Sequence, residues 1–204
     1  NALRTNTTLT SLSLGFTDNK CLRNIKRNII DDIGVMAFSH VLEINNTLTT
    51  LDVSGNYIGP NGVESLSYAL MTNNDLKLSL NLSSNNLDSE GTLIPLIDVL
   101  KNTSTLTALN LSSNQLHSND RYLLLKSLEE NESLISLYLI NTQLSPEDGK
   151  TLASALYNNF TLTTLDISHN MIGLYGGKAI VNVHDRNNTL KFLKISHNNL
   201  GFQG

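Results

Sequence analysis

A short pattern of apolar and polar positions recurs along this chain. In the stretch Leu162-Thr-Thr-Leu165-Asp-Ile167-Ser-His-Asn170-Met-Ile172-Gly173, Leu165 and Ile167 alternate with Asp166 and Ser168. That is the period of a short strand with one buried face. A polar turn follows; Asn170 breaks the alternation where the chain leaves the strand, and Ile172 returns to the core. The same arrangement opens at Leu9, Leu48, Lys77, Leu106, Leu134, Leu162 and Leu190, at intervals of 39, 29, 29, 28, 28 and 28 residues. A second pattern fills the gaps. Six residues before each opening position, or seven in the third unit, stand Leu3, Leu42, Leu70, Leu100, Leu128, Leu156 and His184, and four residues earlier still stand Phe38, Leu66, Leu96, Leu124, Leu152 and Ile180. Two columns four residues apart make one apolar stripe, so a helix is predicted after each strand. Ser145-Pro146-Glu147-Asp148 supplies an N-cap, a proline at the first helical position and early acids. Pro95 is the misfit and should delay or kink its helix.

Written as a template, the unit is L-x-x-L-x-L-x-x-N-x-L, and it resembles the leucine-rich repeat. Units of 28 or 29 residues are similar to the ribonuclease-inhibitor type of that family. The resemblance implies an α/β fold, a leucine-rich repeat solenoid or horseshoe with parallel strands on the concave face and helices on the convex one. Strand and helix widths agree with it: strands pack about 4.8 Å apart and helices about 8 to 10 Å apart, so the sheet must line the inside of a curve. One solenoid domain is expected over residues 1–204, with about seven repeats. Asn1-Ala-Leu3-Arg-Thr-Asn-Thr-Thr-Leu9 matches the end of a helix and its turn, and Gly201-Phe-Gln-Gly204 matches the start of a segment leading into another helix. Both ends are therefore expected to be cut within a repeat, and the uncapped flanks to associate end to end with another copy. Unit one carries about eleven extra residues, an irregular insertion near 15–30, before the pattern resumes at Asn28-Ile-Ile30. The insertion holds Lys20, Cys21, Arg23, Lys26 and Arg27 and reads as a solvated loop or a decayed repeat.

Asparagine forms a column of its own: Asn56, Asn85, Asn114, Thr142, Asn170 and Asn198. A side chain with both donor and acceptor can satisfy backbone groups exposed where the strand turns away, so a buried ladder is predicted, with a local adjustment at Thr142.

Net charge is −4 with a sequence pI of about 5.7, and the basic residues are scattered, so no nucleic-acid footprint is present. The single cysteine, Cys21, allows no internal disulfide and favours a reducing, cytoplasmic compartment, whether of the protein's own cell or of a host. Asn-x-Ser/Thr triplets occur at Asn6, Asn81, Asn102, Asn110 and Asn131, and abundance of Asn, Ser and Thr accounts for them by chance. No apolar run approaches the roughly 20 residues of a membrane span.

The search for chemistry gives an interaction surface rather than a reaction centre. Catalysis needs a group held in a pocket that excludes water, whereas the strand face is open and lined mainly by Ser, Thr and Asn. No cofactor is expected. Gly173-Leu-Tyr-Gly-Gly-Lys178 fails the spacing of a phosphate loop, because Ile172 stands at its first position, and reads as a helix start. His169 and His197 are 28 residues apart, on neighbouring strands, without a third metal ligand. His184 reads as a substitution in the leucine column near a weakened helix end.

A non-enzymatic protein–protein interaction module acting through its concave face is the primary reading. The family resemblance implies settings such as innate immune receptors, actin regulators of the tropomodulin kind, and secreted bacterial effectors. The lax N-x-T-L-T-x-L-x-x-S-x-N repeats are similar to those of effectors, Legionella ones included. The alternative is a regulator of catalysis, similar to the leucine-rich repeat activators of the Ran GTPase, or the recognition part of a ubiquitin ligase. Between the second and third leucines the units read Ser13, Asp52, Asn81, Asn110, Tyr138, Asp166 and Lys194; two positions past the third leucine they read Phe16, Gly55, Ser84, Ser113, Asn141, His169 and His197. The larger groups gather at the C-terminal end, with Ile140 and Phe192 beside them. Tyr138, Asp166, His169, Phe192, Lys194 and His197 are therefore the expected protein-binding patch, with binding expected to change between about pH 7 and 6 through its two histidines.

Overall fold

A computed structural model describes residues 2–16 and 28–201 of the chain. Seven strands form one parallel sheet in sequence order: β1 (Ser11–Ser13), β2 (Thr50–Asp52), β3 (Leu78–Asn81), β4 (Leu106–Asn110), β5 (Ser136–Tyr138), β6 (Thr164–Asp166) and β7 (Phe192–Lys194). Parallel neighbours cannot be joined by a hairpin and need a crossover. Here the crossovers contain α2 (Asp32–Leu42), α3 (Pro60–Thr72), α4 (Ile94–Asn102), α5 (Ser118–Ser127), α6 (Pro146–Asn158) and α7 (Gly173–Asn182), while the four-residue α1 (Ala2–Thr5) precedes β1. Leu12, Leu51, Leu80, Leu109, Leu137, Leu165 and Leu193 stand in one row across the sheet. Behind them lies the helical stripe: Leu66, Leu70, Leu96, Leu100, Leu124, Leu128, Leu152, Leu156 and Ile180 are buried, and Phe38 is half-buried. The solenoid expected from the apolar pattern is the fold observed. The insertion, with Cys21 and its basic neighbours, lies at residues 17–27, outside the described residues, as does the side chain of His184.

The third unit departs from the pattern at its opening position, while Leu80 and Asn81 keep the expected register with Leu51 and Asp52. Lys77 is exposed, while Leu76 and Leu78 on either side of it are buried. The extra residue is absorbed as a register shift between Leu78 and Ser79 against β4. The Lys77 ammonium instead donates to the Ser104 carbonyl and hydroxyl of the next unit, at 2.8 and 2.7 Å.

Helix starts follow the local chemistry. Ser145 caps α6 in a reciprocal box with Asp148, and Pro146 sits in its first turn. Pro95 delays α4, which spans 9 residues against 13 in α3 and α6. Its N-cap position, Leu93, offers no side-chain acceptor. The cap comes from the next unit: the Asp120 carboxylate accepts the Gly91 and Leu93 N–H groups at 3.0 and 3.1 Å. Within the glycine run at 173–177, Gly173 takes a φ of 63°, and Gly176 is explained by packing. A Cβ on Gly176 would lie 3.0 Å from the Pro146 carbonyl, and one on Gly149 would lie 2.8 Å from the Gly176 Cα, so α6 and α7 approach closely only because both positions lack a side chain.

The expected asparagine ladder is present. Asn114 donates to the carbonyls of Leu111 in its own unit and Leu82 in the preceding one, at 2.9 and 3.0 Å, and accepts the Asn85 N–H at 2.9 Å. Asn170 and Asn198 repeat the pattern. Thr142 keeps only the bond within its unit, to the Leu139 carbonyl, and Asn170 accepts the Thr142 and Leu144 N–H groups. In unit one Asn28 takes the ladder's place, donating to the Leu14 carbonyl at 2.9 Å.

A second ladder, invisible in the leucine pattern, runs along the turns that lead from each helix into its strand. Asn45, Asn73, Asn131, Asn159 and Asn187 are all buried. Asn159 donates to the Leu128 and Asn131 carbonyls and accepts the Thr161 and Leu162 N–H groups. Asn187 makes the same four bonds one unit on. The hydroxyl two residues later joins in, with Thr161 donating to the Asn131 carbonyl and Thr47 to the Leu9 carbonyl. The Asn-x-Ser/Thr triplet at Asn131 is thus part of the repeat rather than a product of chance, as are those of Asn45, Asn159 and Asn187.

The ladder's contribution is directly testable. Asn114→Ala is expected to cost about 1 to 3 kcal/mol, because buried backbone groups lose their partners. Asn110 faces outward, which from sequence alone suggests little cost, yet its side chain accepts the Ser112 N–H at 3.0 Å and is half-buried. Asn110→Ala is therefore expected to cost about 1 kcal/mol. Urea midpoints for the two variants decide the matter, and equal shifts would contradict the assigned difference.

Candidate functional site: the outer face of the C-terminal strands

The outward row of the sheet is Ser13, Asp52, Asn81, Asn110, Tyr138, Asp166 and Lys194, paired in that order across the strands. Its polar members have a backbone task. Asp52, Asn81, Asn110 and Asp166 each accept the N–H two residues on, from Ser54, Ser83, Ser112 and Ser168, at 2.9 to 3.1 Å. An Asx turn of this kind ends the strand. Tyr138 cannot accept in this way, and the Ile140 N–H is taken up by the Ser112 hydroxyl of the neighbouring unit at 3.1 Å. The tyrosine is thereby free of the turn and projects from the row as a half-buried aromatic group.

The next outward column is a conformational one. Gly55, Ser84, Ser113, Asn141, His169 and His197 all have φ between 54° and 64°. Left-handed backbone is uncommon outside glycine, and Asn and His are among the side chains that tolerate it best. The two histidines therefore fit a position that the turn restricts. Their rings stack with centroids 4.2 Å apart and planes 8° apart, and both are exposed. Face-to-face rings do not aim their in-plane nitrogens at a common point, so the pair is not arranged as a metal site. Among the described residues no group of three or more His, Cys, Asp or Glu could hold a metal ion.

Of the six residues expected to form the patch, all lie on β5, β6, β7 or the turns that follow them, but they do not present themselves equally. Phe192 is 66% exposed. The Lys194 side chain is 75% exposed, with its ammonium 3.6 Å from Asp166. Asp166 itself is buried, with 6% of its surface exposed, and offers a partner no free carboxylate, contrary to its expected place on the surface. Ile140 is half-buried. Two exposed neighbours stand outside the expected set: Ile135 and Lys191, at the corresponding position just before their strands. The backbone bonds from Thr163 to Ile135 and from Lys191 to Thr163 set that correspondence, which was available in the repeat spacing one residue past each opening leucine. By contrast β1 to β4 carry Ser, Thr, Asn, Ala and Asp outward.

The fold and its repeat chemistry agree with comparison to known proteins. The model for the Leucine Rich repeat matches residues 45–67, 78–92, 103–124, 158–181 and 186–204, and the chain belongs to the leucine-rich repeat family. No curated protein matches it. Among solved structures it is similar to leiomodin-1 actin-binding site 2, at 14% identity over 90% of this chain and 84% of that one, with a TM-score of 0.47. It is also similar to an internalin, inlF, of Listeria monocytogenes, at 21% identity over 92% of this chain and 48% of that one, with a TM-score of 0.49. A third likeness is to TLR13 in a complex with ssRNA13, at 17% identity over 84% of this chain and 24% of that one, with a TM-score of 0.47. Likenesses of this degree carry no argument about partner or activity. Among the described residues no helix is long and apolar enough to cross a membrane.

Proposed function

We propose that the chain is a protein-interaction module that binds its partner through the outer face of β5 to β7, acting in the cytoplasm of its own cell or of a host. The observation that carries this reading is the change of side chain along one sheet. Small groups, all polar but Ala108, face outward on β1 to β4, and Tyr138, Phe192 and Lys194 stand together on the last three strands. Aromatic groups bury much area at little entropic cost, and a few of them supply most of an interface's affinity. A rigid strand face presents them without ordering a loop, which lowers the cost of association.

Site-specific photo-cross-linking tests the placement. A photoreactive residue at Ser136 is expected to capture a partner, and one at Tyr68, exposed on the helical side, is expected to capture none. The double variant Tyr138→Ala/Lys194→Glu, with an unchanged unfolding midpoint, should lower capture at Ser136 by about tenfold or more. Equal capture by this variant, or capture from Tyr68 alone, would move the binding surface elsewhere.

A further inference from the structure

We infer that the partner presents an acidic segment carrying an aromatic or apolar side chain to β5 to β7; this rests on the docking face proposed above and adds the chemistry that the face selects. The argument is one of charge and accessibility. The chain as a whole is acidic, with 18 carboxylate residues against 14 Lys and Arg. The exposed charges carried on and just before β7 are nevertheless ammonium groups, Lys194 in the strand and Lys191 one residue ahead of it. The carboxylate of the three strands, Asp166, is withdrawn: one oxygen accepts the Ser168 N–H at 3.1 Å, the other faces Lys194 at 3.6 Å, and its side chain is 9% exposed. It offsets one of the two positive charges but cannot be reached by a basic group from outside. Lys191 has no ion-pair partner among the described residues. Glu130 and Glu132, in and just after the turn that closes α5, line a recess with Lys101, Asn102 and Ser104 at and just beyond the end of α4 and are not on the strands themselves.

An approaching cation therefore meets two ammonium groups and no free carboxylate, whereas an approaching carboxylate meets both ammonium groups. Complementarity of this kind selects the partner and speeds its approach. Phe192 stands between the two lysines in sequence and is 66% exposed, and Tyr138 and Ile135 continue the apolar area two strands away. The matching segment then needs an apolar anchor flanked by acids, not a run of acids alone. A nucleic acid fits less well. Its phosphates recur along its whole length, and beyond β7 the row offers neutral Asn81 and Asn110 and the acid Asp52.

The test is a selection followed by mapping. Short random peptides displayed on phage are selected on the intact chain and, separately, on Lys191→Glu/Lys194→Glu, whose two exposed positions can change charge without touching the core. The pool from the native chain is expected to be enriched in Asp and Glu around an aromatic or large apolar residue. A synthetic member of the pool should shift the NMR signals of Tyr138 and Phe192, weaken as salt rises, and bind the charge-reversed variant at least about tenfold less tightly. A neutral or basic pool that shifts Tyr138 and Phe192 overturns the inference and leaves the docking face standing. A pool that shifts only helical residues overturns both. Oligouridine that binds these same residues more tightly than the acidic peptide replaces the polypeptide with a nucleic acid and likewise overturns the inference.

Discussion

Arg121→Ala is expected to destabilise the protein by about 3 to 5 kcal/mol, the cost of leaving one half of a buried ion pair alone. Arg121 is 9% exposed in the first turns of α5, and its Nε lies 3.0 Å from Asp148 Oδ2 at the start of α6. A second guanidinium nitrogen donates to the Leu116 carbonyl. Asp148 also accepts the Ser145 N–H and hydroxyl, each at 2.8 Å, so one carboxylate caps α6 and ties it to α5. Alanine removes the counter-charge, strands the Leu116 carbonyl and empties the space of the side chain. The pair Arg121→Met/Asp148→Asn should recover a large part of the loss, because apolar and neutral groups of similar volume no longer demand compensation. Urea unfolding of Arg121→Met, Asp148→Asn and the double variant gives the coupling. A coupling below about 1 kcal/mol would mean that Ser145 alone holds Asp148.

Asn159→Ala is expected to lose about 3 kcal/mol, since the Leu128 carbonyl and the Thr161 and Leu162 N–H groups lose their partner at one stroke, while the Asn131 carbonyl keeps the Thr161 hydroxyl, and each buried orphan costs about 1 to 3 kcal/mol before relaxation. The side chain is 2% exposed and joins three successive stretches: the end of α5 through Leu128, the turn at Asn131, and the strand start at Leu162. Asn158→Ala, one residue earlier and exposed at the end of α6, should stay within about 0.5 kcal/mol. Because a solenoid is held by contacts between neighbouring units, the loss should also appear as faster hydrogen exchange at the Thr161 and Leu162 amides. Unaltered exchange there, with a midpoint matching that of Asn158→Ala, would remove the second ladder from the account of stability.

The chain's repeating apolar residues made its architecture legible without any coordinates. Leu137, Leu139 and Leu144 announce a buried strand and turn by type and spacing alone, because burial depends on how much apolar area is hidden and little on direction. The Asn114 column was legible for a related reason: a polar residue repeated at a position that must be buried needs partners, and the strand's end supplies them. In the third unit the strand and ladder residues hold and only the opening position slips by one residue, since the choice between Leu76 and Lys77 depends on a bulge that only pairing with β4 fixes.

What the sequence determined by itself, then, is the set of elements, their order, the face each buries and the outward row from Ser13 to Lys194. The tertiary structure decided which members of that row are accessible. Asp166 and Lys194 look equivalent as exposed charges in the sequence, but Asp166 folds back onto the Ser168 N–H and is buried, while Lys194 stands clear. His169 and His197 look like a site, and the backbone shows a left-handed turn that accepts histidine and a 28-residue register that stacks the rings. The cap of α4 by Asp120 and the pairing of Arg121 with Asp148 join residues 27 to 29 positions apart. Hydrogen bonds and ion pairs need both partners at a given distance and angle, and that geometry exists only once neighbouring units have stacked.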